Sequence, residues 1–218
     1  MKIIIINGSP RTKGSTATIL HQIENELIAS GAETEYFDLK ELQINPCSGC
    51  CSCFKTGHCY INDDAEKLSE LIRRSDGLVI GSPTYASNVS GIMKQFIDRG
   101  HFVIEQLLHN KFCITVSTGE NYGYRNTLKI LNDLVLYSGG NICGSIAVKA
   151  PFAASYTINY KIRRKCSIAA GKMIRQHRSP LQAIAQKIIF RFGIRPFVLK
   201  KGSAYQGVID RWRFQFML

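Results

Sequence analysis

The first twenty residues, MKIIIINGSPRTKGSTATIL, constrain this chain more than any other stretch. Ile3 to Ile6 is an apolar, β-branched run ended by a turn, the pattern of a parallel strand buried on both faces. Asn7 to Thr16 is a loop rich in Gly, Ser and Thr, and Ile19, Ile23 and Leu27 then recur at i, i+4, i+8 with Leu20 beside them, so a helix follows. Strand, hydroxyl-rich loop and helix N-terminus make an anion site, because unpaired N–H groups point into the loop and the helix dipole favours negative charge there. Ser9, Ser15 and Thr16 add hydroxyl donors, and Arg11 and Lys13 add charge. The loop is expected to hold a phosphate. The competing reading is an ordinary βα turn in which Ser and Thr cap the helix.

The pattern G-x-x-x-x-G-K-[ST] is absent, which argues against a nucleoside triphosphate, and G-x-G-x-x-G is absent throughout, which argues against a resident dinucleotide. A monophosphate suits a short hydroxyl-lined loop after the first strand. With 45% hydrophobic and 20% charged residues the composition is globular. No run approaches the roughly 18 apolar residues of a membrane span. The N-terminus reads as a strand and not as a signal peptide, so a cytoplasmic location is the expectation.

Apolar periodicity gives an alternating order of elements. Strands are expected at Ile3–Ile6, Glu33–Leu39, Gly77–Gly81, Lys111–Ser117 and Ile142–Val148. Helices are expected after Ser15, over Asp63–Arg74, from about Ser90 and over Tyr124–Tyr137. This βα alternation predicts a parallel sheet with helices on both faces. The loops 7–16, 82–88 and 117–123 follow strand ends, where ligands bind in open α/β sheets. The Cys-rich stretch 41–62 also follows a strand, so it is expected at the same edge.

Three motifs carry a family resemblance: Asn7-Gly8-Ser9-Pro10-Arg11 with Gly14-Ser15-Thr16; Gly81-Ser82-Pro83-Thr84-Tyr85 with Asn88 and Gly91; and Phe96-Ile97-Asp98-Arg99. Over residues 1–150 they resemble the flavodoxin-like NAD(P)H-dependent FMN reductases. Cys47-x2-Cys50-x2-Cys53-x5-Cys59, followed by Asp63-Asp64, resembles the iron-sulfur flavoproteins within that family. The resemblance implies a doubly wound five-stranded sheet of order 2-1-3-4-5. It implies that Ser9, Arg11, Ser15 and Thr16 hold the FMN phosphate. Pro83, Thr84, Tyr85 and Asn88 would line the isoalloxazine and ribityl chain, and Ser117, Thr118 and Gly119 would close the other side. A flavin needs a flat, partly apolar slot with backbone donors at its polar edge, and these residue types supply one. The implied activity moves electrons from NAD(P)H, as co-substrate, to an acceptor that the sequence does not name. No side chain is expected as a catalytic acid or base, since the chemistry lies on the flavin. The alternative is an electron-transfer protein reduced by ferredoxin.

Five of the eight cysteines fall between Cys47 and Cys59. Three chemistries are open for Cys47, Cys50, Cys53 and Cys59: a [4Fe–4S] cluster, a zinc site, and reduced thiols without metal. Cys51, adjacent to Cys50, is expected to point away, with substitution for a neighbouring ligand as the alternative, and His58 reads as a loop residue. Cys113 and Cys143 sit in apolar runs and read as inert core residues.

The net charge of +12 is unevenly placed. Residues 1–149 carry 14 Lys and Arg against 15 Asp and Glu, whereas residues 150–218 carry 14 Lys and Arg and a single acid, Asp210. The division drawn here is therefore an FMN-binding domain over 1–149, with the Cys-rich loop 47–59, and a basic, mainly helical extension over 150–218. Apolar residues interleaved with Lys and Arg read as a segment packing on the core or on a second subunit, so a homo-oligomer is expected. Peripheral membrane contact is the less favoured reading. No nucleic-acid motif is present. Ile188, Ile189, Phe190, Phe192 and Phe197 are expected to cover something.

Overall fold

A computed structural model of the chain describes residues 1–151, 156–215 and 217–218. Five parallel strands form one sheet: β1 (Lys2–Asn7), β2 (Glu33–Asp38), β3 (Gly77–Pro83), β4 (Phe112–Gly119) and β5 (Asn141–Lys149). Their order is 2-1-3-4-5, as the resemblance implied. Helices α1 (Ser15–Ala29), α3 (Asp64–Arg74), α4 (Gly91–Arg99), α5 (Tyr124–Tyr137) and α6 (Tyr160–Ile174) surround the sheet, and the short α2 (Ser52–Thr56) lies in the Cys-rich loop. The extension then continues as α7 (Pro180–Ile188), a π-helical turn over Ile189–Ile194, α8 (Arg195–Lys201) and α9 (Gln206–Phe214).

The four isoleucines of β1 are all fully buried because both faces of the sheet are covered. Ile3 and Ile5 pack with Ile19, Leu20, Ile23 and Leu27 of α1, whereas Ile4 and Ile6 face the opposite layer with Leu68, Ile72, Met93 and Phe96 of α3 and α4. Cys113 and Cys143 are buried, and burial pushes both thiols up, Cys143 to about 11. Buried Cys166 is pushed up to about 12 in the same way.

β3 and β4 run two residues further than the apolar pattern indicates. Ser82 pairs with Ser117 and Pro83 with Thr118, so residues that look like loop are held in the sheet. After β5 the chain does not leave the core at once: Ile162, Cys166, Ala169, Ala170 and Met173 of α6 share one apolar layer with α1 and the β4–β5 face. The helical extension proper begins at Pro180. Of the residues expected to cover something, Phe190 meets Trp212 edge-on, at 5.0 Å between ring centroids. Ile188 and Phe192 instead remain exposed. No helix among the described residues is long and apolar enough to cross a membrane.

Candidate functional site

The loop after β1 is shaped by backbone and short side chains. Gly8 N–H donates to Gly81 O at 2.8 Å, Asn7 Oδ1 accepts from Ser9 N–H at 3.0 Å, and Ser9 Oγ accepts from Arg11 N–H at 3.1 Å. The Ser90 hydroxyl donates to Gly8 O and accepts from Met93 N–H, which pins the start of α4 against the loop. A Cβ on Gly8 would lie 2.5 Å from Met93 Cε and 2.9 Å from its Cβ, so only glycine permits this approach. α1 starts after Gly14, and no side chain caps it. Ser and Thr therefore do not take the capping role that the competing reading gave them. Thr16 Oγ1 instead lies 2.8 Å from Thr118 Oγ1, and the Ser15 hydroxyl donates to Pro151 O at 3.3 Å.

One cleft is lined by Ser9, Arg11, Gly14, Ser15 and Thr16 from the first loop, Pro83 and Tyr85 from the second, and Thr118, Gly119, Ala150 and Pro151. Eight of the eleven residues named from the resemblance thus meet at one place. The other three hold the walls: Thr84 donates to Thr127 Oγ1, which in turn donates to Asn88 O, and the buried Ser117 donates to Tyr124 O. Tyr85 and Asn88 exchange two backbone hydrogen bonds of 3.0 Å around Ala86 and Ser87, both at positive φ. This tight turn leaves Tyr85 exposed at the cleft.

The cysteine loop does not line this cleft: the residues around the two places have no member in common. From Leu42 the chain runs along α4: Gln95 Nε2 donates to Ile44 O at 2.6 Å, and Arg99 Nη1 to Asn45 O at 2.7 Å. Following a strand fixes only where a loop begins, and here packing carries it to the far end of the helix. α4 has nine residues, which separate its ends by about 13 Å. At that end Arg99 forms two 2.9 Å hydrogen bonds to the buried Asp63 carboxylate and also reaches Ile61 O. Burial opposes the charge on Asp63, but Arg99, Asn45 and the Ala65 N–H outweigh it and hold the carboxyl below its ordinary value. One buried ion pair thus clamps both ends of the loop.

The loop closes over a cavity of about 320 Å³ lined by Cys47, Cys51, Cys53 and Cys59 together with Phe54, Phe102 and Glu105. Cys51, expected to point away, is one of the lining residues, and Cys50 is not. Backbone N–H groups of Gly49 and Ser52 point at the sulfurs of Cys47 and Cys50, at 3.4 and 3.5 Å. Beneath them lies a charge cluster. His101 meets Glu105 through Nδ1 at 2.5 Å and Glu66 through Nε2 at 2.8 Å. Arg211 Nε is 3.0 Å from Glu105 Oε2, and Arg73 is 3.7 Å from the same atom. The ligating atoms of Cys53, His101 and Glu105 all lie within 4.8 Å of one another. Burial opposes a charged His101, but hydrogen bonds to Cys53, Glu105 and Glu66 prevail and push its pKa up to about 11.

With these two places in view, the comparisons with known proteins are decisive. Residues 1–155 match the family model described as NADPH-dependent FMN reductase. The chain belongs to that family. It is 36% identical to an iron-sulfur flavoprotein of Clostridioides difficile (strain 630) over 99% of both chains, which places it in the iron-sulfur flavoprotein branch. Among solved structures it resembles an apo NADH:FMN oxidoreductase, with TM-score 0.62, 18% identity and coverage of 84% of this chain and 93% of that one. It also resembles a Streptococcus pneumoniae flavodoxin, with TM-score 0.53, 12% identity and coverage of 81% and 99%. At these identities the two structures attest the fold alone.

Membership makes the chain a flavin-dependent, FMN-binding oxidoreductase. The sequence reading missed His101, Glu105 and Arg211. Arg99 stood in a motif quoted for the resemblance but was given no task. His101 and Glu105 are four residues apart but belong to no recognisable motif, and Arg211 lies more than a hundred positions away from both. A weak signal existed in Glu105, an acid within the apolar stretch Phe102–Leu108.

Proposed function

We propose that this family member takes hydride from NAD(P)H on FMN held in the cleft and passes electrons on singly, with the cysteine loop carrying a [4Fe–4S] cluster. The observation that carries this reading is the pairing of two built places in one chain, a hydroxyl-lined cleft at an uncapped helix N-terminus and a cavity lined by four cysteines. The donor sets fit the groups. The first N–H groups of α1, with Ser9, Ser15 and Thr16, suit a phosphate, and Arg11 adds charge. Thiolates in a compact loop, with backbone N–H groups aimed at two of the sulfurs, suit a cluster.

When bound, FMN supplies two-electron chemistry and a cluster supplies one-electron steps. The chain's own residues bind and orient: the first loop would fix the phosphate, Pro83 and Tyr85 would offer flat surface to the ring, and Thr118 and Gly119 would close the cleft. Cys47, Cys50, Cys53 and Cys59 are the proposed ligands, with Cys51 placed to replace Cys50. An absorption spectrum of anaerobically purified protein tests both cofactors at once: flavin bands in the blue, plus broad absorbance bleached by dithionite. Iron analysis of Cys50→Ser and Cys51→Ser then decides which of the two is a ligand.

A second reading of the same two places makes reduced ferredoxin the electron donor. Steady-state oxidation of NADH or NADPH, set against reduction by ferredoxin, separates the two. Rapid NAD(P)H turnover supports the first reading. Reduction by ferredoxin alone supports the second.

A further inference from the structure

The C-terminal extension has no part in the chemistry above, yet its last helix and the turn before it, Gly202–Tyr205, touch the cysteine loop at three points and the floor of the cavity at a fourth. Arg211 Nη2 donates to Gly57 O at 2.5 Å while Arg211 Nε pairs with Glu105 beneath the cavity. Glu105 holds His101, whose ring in turn reaches Cys53. Gly207 abuts Gly57 so closely that a Cβ there would fall 2.1 Å from Gly57 N. Tyr205 stacks on Phe54, with 4.7 Å between ring centroids, beside a small apolar cluster of Val198, Val208, Ile209 and Trp212.

The loop needs such support. Its helix, α2, has five residues and no buried side chain of its own. A helix that short does not hold together in water without tertiary packing. The structure supplies that packing from residues some 150 positions away.

We propose that α9 is part of the cysteine site and that Arg211 is a positioning residue which braces the loop so that it retains a metal cluster. The proposal rests on the cluster reading for its function, but the brace itself does not need a cluster to be detected. Arg211 joins the loop backbone at Gly57 to the Glu105–His101–Cys53 chain, so its loss frees both the backbone and the cavity floor. Lysine keeps the charge and loses the planar fork that bonds Gly57 O while it pairs with Glu105.

The test uses full-length chain, wild type against Arg211→Ala, Arg211→Lys and Tyr205→Ala. Hydrogen exchange of residues 47–59 is measured in cluster-free protein, and iron loss to a chelator is followed after anaerobic reconstitution. Arg211→Ala is expected to lose protection across the loop and to release iron roughly tenfold faster or more, the usual cost of removing a residue that orients metal ligands. Arg211→Lys should recover part of both, and FMN content should stay at the wild-type level in all. Should Arg211→Ala fail to fold, Tyr205→Ala gives the same readouts with a milder lesion. Wild-type protein that never takes up iron, with loop protection still lost in Arg211→Ala, would sink the cluster reading and keep the brace. Unchanged protection and unchanged iron release in both Arg211→Ala and Tyr205→Ala overturn the brace.

Discussion

The two ends of α4 are built in opposite ways. At its N-terminus, Ser90 and Gly8 join strand ends to a loop made of backbone, glycine and hydroxyls, and most of the parts lie within a few residues of a β-strand. At its C-terminus, Arg99, His101 and Glu105 of one short stretch are joined by Asp63 and Arg211 from two distant segments, and the five hold one another by charge. The first kind of site is rigid because the sheet is rigid. The second is only as firm as the least anchored of its contributors, and ion pairs taken from water stand only while every partner is present.

The largest expected effect comes from shortening the chain. A chain ending at Ala150 loses α6, whose Ile162 and Met173 cover the sheet, and each such large side chain is worth about 1.5–3 kcal/mol. It should be insoluble or fail to bind FMN. A chain ending at Arg178 keeps α6 and should bind FMN while its cysteine loop becomes freely accessible to protease. Equal behaviour of the two truncations would erase the contrast between the ends of α4.

Next comes the buried pair. Arg99→Met leaves the Asp63 carboxylate buried without its partner and should cost about 3–5 kcal/mol in denaturant unfolding. The folded Asp63 has a depressed pKa, so its pairing adds stability above the ordinary value near ~3.9 that is lost as pH falls through the folded value. Arg99→Met should lose that part of the acid dependence. A variant as stable as wild type at neutral pH would show that the loop ends are fastened by something other than this pair.

Within the cleft the effects are local. Ser15→Ala with Thr16→Ala should weaken FMN binding by about 1.5–3 kcal/mol for each hydrogen bond lost to the charged phosphate. Riboflavin, which lacks the phosphate, should bind both proteins alike in a fluorescence titration. Equal FMN affinity would move the phosphate out of this loop. The smallest effect sharpens the contrast among thiols. In cluster-free folded protein, iodoacetamide should modify the exposed Cys47, Cys50 and Cys51 and leave the buried Cys113, Cys143 and Cys166 untouched, as read by peptide mass.

Much of this molecule is readable along the chain, and the reason is locality. The apolar run Ile3–Ile6, the hydroxyl loop and the Ile19–Leu27 stripe are each written in a few neighbouring residues, so they specify the strand, the cleft and the buried face of α1. The cysteine spacing is equally local, and it marks out a candidate metal loop. Where that loop sits was decided by packing, because it depends on which helix end offers a partner for Asp63. The role of α6 was hidden by charge: its exposed Lys and Arg residues mask a buried face of Ile162, Cys166, Ala169, Ala170 and Met173. The junction of Arg211 with Gly57 and Glu105 spans 154 and 106 positions of sequence. No periodicity reaches that far, and only the closed tertiary structure brings these groups within hydrogen-bonding distance.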